Sequence, residues 1–430
     1  MRFLRDFILL AALLMVAPWR SRTRRHLRRL RQRFSLSKHS GPRVVVHAVS
    51  LGEVNAAARL IRKLDGHGLN VVCSATTLSG KNRSRELHPS CDQVEWPLDV
   101  SFCCRRWLDH VKPEVLVLVE LEVWPTLVRM AHARGIPVMV VNGRLSERSF
   151  RKSMRFKHLL RDGYSNLTRV FAQSKEDADR FSQMGVCDQL ISVHTNLKWE
   201  RDVPSDEDVQ AIRRALRLDP GRPMVLFASS APEEHDLFAK CLVPNCQAVI
   251  APRRPEWFAD AHRAFPNARL RTDPVSEGDI VVLNTLGELD AVFVLADVVI
   301  MGRSFGNRHG SDPMGPAATG RPILIGPSYG DFISSVTALN SAGALEVVSA
   351  SELRSRLFEL VHSCEVRNQM GAAGKAVAAS SQGIASRLAE EIVAQTQPPR
   401  RDRGGAEEKE ESLQHCSTLI SALGAADDHK

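Results

Sequence analysis

Charged residues in this chain fall repeatedly just after short β-branched runs, where a strand would end. Glu53 follows RVVVHAVSLG (43–52), and VNAAARLI, with an apolar helical stripe, follows it. A carboxylate at a strand tip, partly withdrawn from water, has a raised pKa and can take a proton from a hydroxyl. The same place suits a first-turn helix acid favoured by the macrodipole. Glu120 and Glu122 end another such run, EVLVLVEL (114–121) and the next residue, and share one face of an extended chain. There they position an acceptor or pair with Arg144, which follows IPVMVVNG (136–143). Lys198, after LISVHTN (190–196), pairs with one of these acids, meets a substrate carboxylate, or stays solvated. Ser50 and Gly52 complete this acid–base group as residues of the turn that carries Glu53.

A second group lies beyond residue 220. The Ser229-Ser230 turn leads through Pro232-Glu233-Glu234 into a helix, and backbone N–H groups at such a turn can hold a phosphate. Arg253 and Arg254, after QAVIAP, can neutralise it through bidentate contacts, or be solvated arginines beside a capped helix. GRSFGN (302–307) is glycine-rich but has neither GxGxxG nor GxxxxGK[ST], so a Rossmann dehydrogenase or a P-loop NTPase is poorly supported.

The elements that must carry these loops follow from hydrophobic patterning. Strands are expected at 43–49, 69–76, 114–121, 136–143, 169–174 and 190–196, with helical stretches between them that stop at Gly135 and Gly185. WERDVPSDEDVQAIRRALRLDPGRP (199–223) interrupts the alternation as a linker plus one helix. It then restarts with PMVLFASS, QAVIAP, DIVVLNT, VVIMG, PILIG and ALEVV. Strands apolar on both faces and separated by helices mean parallel sheets covered on both sides. The expected fold is therefore α/β, with two doubly wound Rossmann-like domains at 41–200 and 201–395. Ligands bind such sheets beyond the carboxyl ends of their strands, and two such domains face a cleft.

The net charge of +9 is close to the eight arginines of RSRTRRHLRRLRQR (20–33), so it describes one segment and not a nucleic-acid-binding surface. Before it, FILLAALLMVAPW (7–19) is apolar for 13 residues, short of the ~20 that span a bilayer. An apolar plug followed by a polybasic stretch reads as an anchor, residues 1–40, on an anionic cytoplasmic leaflet; a cleaved leader is the other reading. The tail, 396–430, is polar and charged enough to be disordered. Nine cysteines without a CxxC pair fit reduced thiols, and no zinc site is expected.

As a set, HAVSLGEVNAA, PLD (97–99), ELEVWP, PVMVVNGRLSERS, FAQSKEDADRF, NLKWE, APRRPEWF, NTLGELDAVFVLADVVIMGRS and GRPILIGP resemble the 3-deoxy-D-manno-octulosonic acid (Kdo) transferases of lipopolysaccharide synthesis, in order from about 40 to 395. The resemblance implies a GT-B glycosyltransferase that moves Kdo from CMP-Kdo to a lipid A precursor without metal or cofactor. It places the enzyme on the cytoplasmic face of the inner membrane. It makes Glu53 the proton acceptor and gives Glu122 and Lys198 to transition-state stabilisation. Pro252 and Arg253 would bind CMP, as would Leu286, Gly287 and Glu288. The family's GGHNPLEPAALG appears here as HGSDPMGPAATG, so Asp312, Pro313, Met314 and Gly315 form the corresponding loop, with Asp312 for Asn and Gly315 for a ribose-binding Glu. Those departures leave two alternatives: a GT-B enzyme with another nucleotide-sugar donor, or a non-catalytic membrane-bound homologue that has lost its donor.

Overall fold

The computed structural model describes Leu36 and residues 41–120, 123–201, 203–273 and 278–396. The expected anchor, apart from Leu36, and the expected tail beyond Thr396 lie outside the described residues. The chain divides into two compact units, one running to Lys198 and resuming at Gly383, the other Trp199–Gln382.

The first unit holds β1 (Arg43–His47), β2 (Asn70–Ser74), β3 (Asp92–Val94), β4 (Val115–Val119), β5 (Val138–Gly143), β6 (Arg169–Ala172) and β7 (Ile191–Val193). They form one sheet in the order β3-β2-β1-β4-β5-β6-β7, with every pairing parallel. The second holds β8 (Met224–Ser230), β9 (Gln247–Pro252), β10 (Arg269–Leu270), β11 (Ile280–Val282), β12 (Val298–Met301), β13 (Ile323–Ile325) and β14 (Leu345–Val347). Its order is β10-β11-β9-β8-β12-β13-β14, again all parallel. Two neighbours that are distant in sequence, β1 beside β4 and β8 beside β12, mark where the winding reverses in each sheet.

The strands form because their residues are apolar on both pleat faces. In β1, Val44 and Val46 face one core, whereas Val45 faces another. Helices then start where a side chain can close the first turn: Ser50, Thr77, Ser146 and Ser174 each accept a backbone N–H from three residues on. Gly185 ends the helix Lys175–Met184 in a left-handed conformation, as the sequence predicts.

One boundary differs from the sequence reading. The helix Ile384–Thr396 belongs to the first unit, not to the domain ending at 395, because Ile384, Ala385, Leu388, Ala389 and Ile392 bury themselves in the core with Val54, Ala57 and Leu64 of the helix Leu51–Gly66. Among the described residues no helix is long and apolar enough to cross a membrane.

Candidate active site

In the first unit the chemistry collects at the β1/β4 switch point, at the carboxyl ends of the strands. Ser50 caps the helix Leu51–Gly66, and Glu53 sits in its first turn. One carboxylate oxygen of Glu53 accepts the Val49 N–H at 2.7 Å, and the other accepts the Ser50 hydroxyl at 2.9 Å. Glu53 is half-buried. Burial pushes its carboxyl pKa up, those two donors pull it back, the nearby Glu120 adds to the rise and Lys198 opposes it. Gly52 is exposed in the same turn.

Glu120 follows β4 with φ +62, a left-handed conformation that costs a non-glycine residue energy and persists where the surroundings enforce it. Its carboxylate meets the Lys198 ammonium at 2.7 Å. Of the partners the sequence left open, Lys198 has therefore taken Glu120. Arg144 is exposed beyond β5. Glu122 lies outside the described residues.

Lys198 is held by residues that motif reading passed over. Asn142, at the end of β5 with φ +53, accepts the Leu197 N–H at 3.0 Å through its side chain. Gln173 donates to the Asn142 carbonyl at 2.9 Å and accepts from the Asn196 side chain at 3.1 Å. Asn196 in turn accepts the Lys198 N–H at 3.0 Å. Asp99 caps the helix Pro125–His132 through the N–H groups of Thr126 and Leu127 at 3.0 and 2.8 Å, fixing the far end of the loop after Glu120. Each is a single polar residue at a strand or helix end, and only the strand-end placement of Asn142 and Asn196 signals such a role.

In the second unit the equivalent place is the β8/β12 switch point. Ser229 (φ +55) and Arg303 (φ +62) both hold left-handed conformations there. Gly302 permits the approach, since a Cβ on it would lie 2.6 Å from the Cα of Ser230. The buried Glu234 ties the loop down, accepting N–H groups from Ala231, Arg303, Ser304 and Phe305 at 2.7–3.0 Å. Gly302–Gly306 has the GxSxG spacing of a nucleophile turn, but Ser304 is fully buried and its hydroxyl donates to the Met301 carbonyl at 2.6 Å. It is a structural serine.

Pro252 ends β9 opposite Ser230, and the Arg253 N–H donates to the Ser230 carbonyl at 3.0 Å, leaving its guanidinium exposed. Arg254 and Arg308 both lie over the Trp257 ring, at 5.1 and 4.8 Å. Burial, Arg253, Arg254 and Arg308 lower the pKa of Arg303, against the pull of Asp331. The expected CMP loop is partly engaged within the protein. Glu288 pairs with Arg271 at 3.0 Å and accepts the Thr285 hydroxyl. Gly287 has φ +88, and Leu286 is exposed.

The 312–315 loop is tied into the protein around it. Asp312 is ion-paired with Arg201 and accepts the Met314 N–H at 3.1 Å. Pro313 is buried, and the Met314 side chain belongs to the core, so Met314 offers a ligand only its backbone. A Cβ at Gly315 would come within 2.7 Å of the Phe293 ring, itself buried. The position lacks room for any side chain while Phe293 stays in place.

Among the described residues no group of three or more His, Cys, Asp or Glu could hold a metal ion. A cavity of about 180 Å³ lies at the amino ends of β8, β9 and β11, away from the β8/β12 switch point.

A family model described as "3-Deoxy-D-manno-octulosonic-acid transferase (kdotransferase)" matches residues 28–201. A 3-deoxy-D-manno-octulosonic acid transferase of Bordetella pertussis is 30% identical over 370 residues, covering 80% of this chain and 85% of that protein. One of Haemophilus influenzae is 27% identical over 365 residues, with the same coverage. Among solved structures, the UDP-GlcNAc 2-epimerase of Neisseria meningitidis bound to UDP-GlcNAc superposes with a TM-score of 0.55 over 81% of this chain and 100% of that one. At 12% identity this is a likeness of fold.

Proposed function

The chain belongs to the 3-deoxy-D-manno-octulosonic-acid transferase family and is a GT-B Kdo glycosyltransferase of lipopolysaccharide synthesis; from that premise we propose that it moves Kdo from CMP-Kdo to a lipid A precursor, with Glu53 as general base. The observation that carries this reading is the Glu53 carboxylate itself, half-buried and raised in pKa at the β1/β4 switch point beside the Glu120–Lys198 pair. A raised pKa makes the ionised carboxylate a stronger base toward the hydroxyl proton that it removes as the acceptor oxygen attacks the anomeric carbon. The Lys198 ammonium stands near negative charge as it develops. The leaving group is a phosphate monoester, CMP, which needs positive charge and backbone donors rather than a strong acid. Arg253 and the Ser229–Ala231 turn of the second unit supply both in this proposal, and transfer needs no metal or cofactor.

A lipid acceptor is supported by the rim of this edge. Leu51, Leu78 and Phe102 lie in the first turns of three successive helices and are 44%, 68% and 67% exposed. Thr77 donates its hydroxyl to the Val49 carbonyl at 3.1 Å, which binds the Leu78 turn to the turn that carries Glu53. Apolar side chains at those starts leave acyl chains a surface beside the base. The apolar and arginine-rich segment at 7–33 anchors the enzyme to the anionic cytoplasmic face of the inner membrane in this reading.

The crowding of Gly315 by Phe293 favours one other reading: a GT-B enzyme with another nucleotide-sugar donor, held without the ribose-binding glutamate. Incubation with CMP-Kdo, regenerated in situ, and a lipid A precursor, followed by mass measurement of the lipid, decides. An added Kdo mass supports the proposal. CMP binding without product points to a different CMP-linked sugar, and absence of both defeats the CMP-Kdo assignment.

A further inference from the structure

We propose that Cys73 and Cys91 form a peroxide-sensitive modification site: oxidation closes them to a disulfide, and the new bond loosens the turn that carries Glu53. The inference does not depend on the donor or the acceptor assigned above.

Cys73 lies in β2, buried, and stands opposite Gln93 in the β2/β3 ladder. Cys91 comes two residues before Gln93, in the bend that leads into β3, and is only partly buried. Both side chains reach one core. Cys73 belongs to the cluster that holds Val54, Ala57 and Leu64, and Cys91 packs against that same cluster. A hydrogen bond joins the two thiols. It holds Cys91 below the ordinary thiol pKa, helped by Ser90 and opposed by burial, Asp65 and Asp92. The same bond, with burial, holds Cys73 well above it, against hydrogen bonds from Ser84 and Gln93. Cys91 is thus the accessible nucleophile and Cys73 the sheltered thiol beside it. Elsewhere burial raises the thiols of Cys103, Cys241 and Cys246 and makes them less reactive.

With hydrogen peroxide as oxidant the steps balance. The Cys91 thiolate attacks one peroxide oxygen, an S–O bond forms, the O–O bond breaks, and the departing hydroxide leaves as water with a proton from solvent. The Cys73 sulfur then attacks the Cys91 sulfur, the S–S bond forms, the S–O bond breaks, and a second water carries away the Cys73 proton. Two thiols lose two electrons and one peroxide becomes two waters. The bond draws the sulfurs from hydrogen-bonding distance to about 2 Å. β3 is a three-residue edge strand and Cys91 lies in the bend before it, so the bend can move, but β2 is pulled toward it. That pull is felt next door. The Ser74 carbonyl accepts the Ala48 N–H at 2.9 Å, its hydroxyl meets His47 Nδ1 at 3.2 Å, and the Val49 carbonyl accepts the N–H groups of Thr76 and Thr77 at 3.2 and 3.0 Å. Those bonds tie the end of β2 to the turn whose Val49 N–H holds Glu53.

Hydrogen peroxide added to the reduced full chain, followed by alkylation and peptide mass mapping without reductant, tests the pair. A peptide joining Cys73 to Cys91 should appear, and dithiothreitol should remove it. Cys91 should be consumed about ten-fold faster than the exposed Cys364. Cys73→Ala, which keeps an apolar side chain in the core, should stop the reaction at a Cys91 sulfenic acid that dimedone traps. Cys91→Ser, at the bend, should leave Cys73 reduced. Amide exchange at Ala48, Thr76 and Thr77 should speed up by about ten-fold in the oxidised protein and return on reduction. The proposal is overturned if Cys91 oxidises no faster than Cys364, or if it pairs with a cysteine other than Cys73. It is equally overturned if the disulfide forms only in denaturant, or if it forms in the folded chain and leaves exchange at those three amides unchanged.

Discussion

Glu53 serves two purposes, and its chemistry separates them. As a first-turn acid it caps its helix through Val49 and Ser50; as a half-buried carboxyl it pays a desolvation cost whenever it ionises. Its pKa is raised above the ordinary 4.5, so folding favours the protonated form. No cost is present below 4.5, and stability is lost as pH rises through the folded pKa, leaving a constant deficit at neutral pH. Glu53→Gln never ionises, can still accept the Val49 N–H, and can donate to the Ser50 hydroxyl. Its Tm relative to the unaltered protein should therefore improve between pH 4 and pH 7, whereas a purely macrodipole role predicts a loss of up to ~1 kcal/mol at neutral pH. Transfer should fall by roughly 10²–10⁴, and the acid limb of kcat/KM, expected above pH 4.5 in the unaltered enzyme, should disappear. Near-normal turnover would sink the general-base assignment. Glu53 and Lys198 were legible because strand tips are where such sheets do chemistry. The Asn142–Gln173–Asn196 relay that sets Lys198 was not, since each of its members is an ordinary polar residue until the sheet brings residues 142, 173 and 196 together.

At the scale of elements, β-branched runs announced twelve strands, and the two unannounced ones are short edge strands. β3 reads Asp-Gln-Val and β10 Arg-Leu, too brief and too polar to show a period. The 312–315 loop shows a different limit. Its departures from the family pattern were visible, but their cause is tertiary: Asp312 pairs with Arg201, 111 residues away, and Phe293 of the helix Leu289–Leu295 crowds Gly315. Restoring the family carboxylate by Gly315→Glu alone should therefore destabilise the protein, by about 1–3 kcal/mol for an overpacked position. Phe293→Val should return most of that loss by vacating the space of the ring. If the family's ribose contact is what this chain lacks, CMP affinity should rise only in the double variant. Thermal melts and a CMP titration on the two single variants and the pair test this. A single Gly315→Glu variant as stable as the unaltered protein would show that Phe293 yields freely and that crowding does not explain the glycine.

For the whole molecule, the order of the chain and the order of its folding units disagree at one place. The alternation of strands and helices suggested that the chain leaves the first domain near 200 for good, because nothing local in IASRLAEEIVAQT says which sheet its apolar face will cover. The structure sends that helix back. Ile384, Leu388 and Ile392 are at most 1% exposed, in the core beneath the helix Leu51–Gly66. Burying three such side chains contributes about 1.5–3 kcal/mol each, which together rivals the ~5–15 kcal/mol by which whole domains are stable. A fragment ending at Lys198 should thus lack a cooperative thermal transition and expose apolar surface to a hydrophobic dye, although it contains every strand of its sheet. Adding a peptide of residues 383–396 should restore the transition, and Leu388→Asp in that peptide should prevent the rescue by burying an unpaired charge. The fragment 199–382 carries its own two cores on either face of its sheet, and should melt cooperatively without help. If the fragment ending at Lys198 melts with the same sharpness and midpoint with and without the peptide, the returning helix only decorates the first unit, and the boundary near 200 marks a domain that folds by itself.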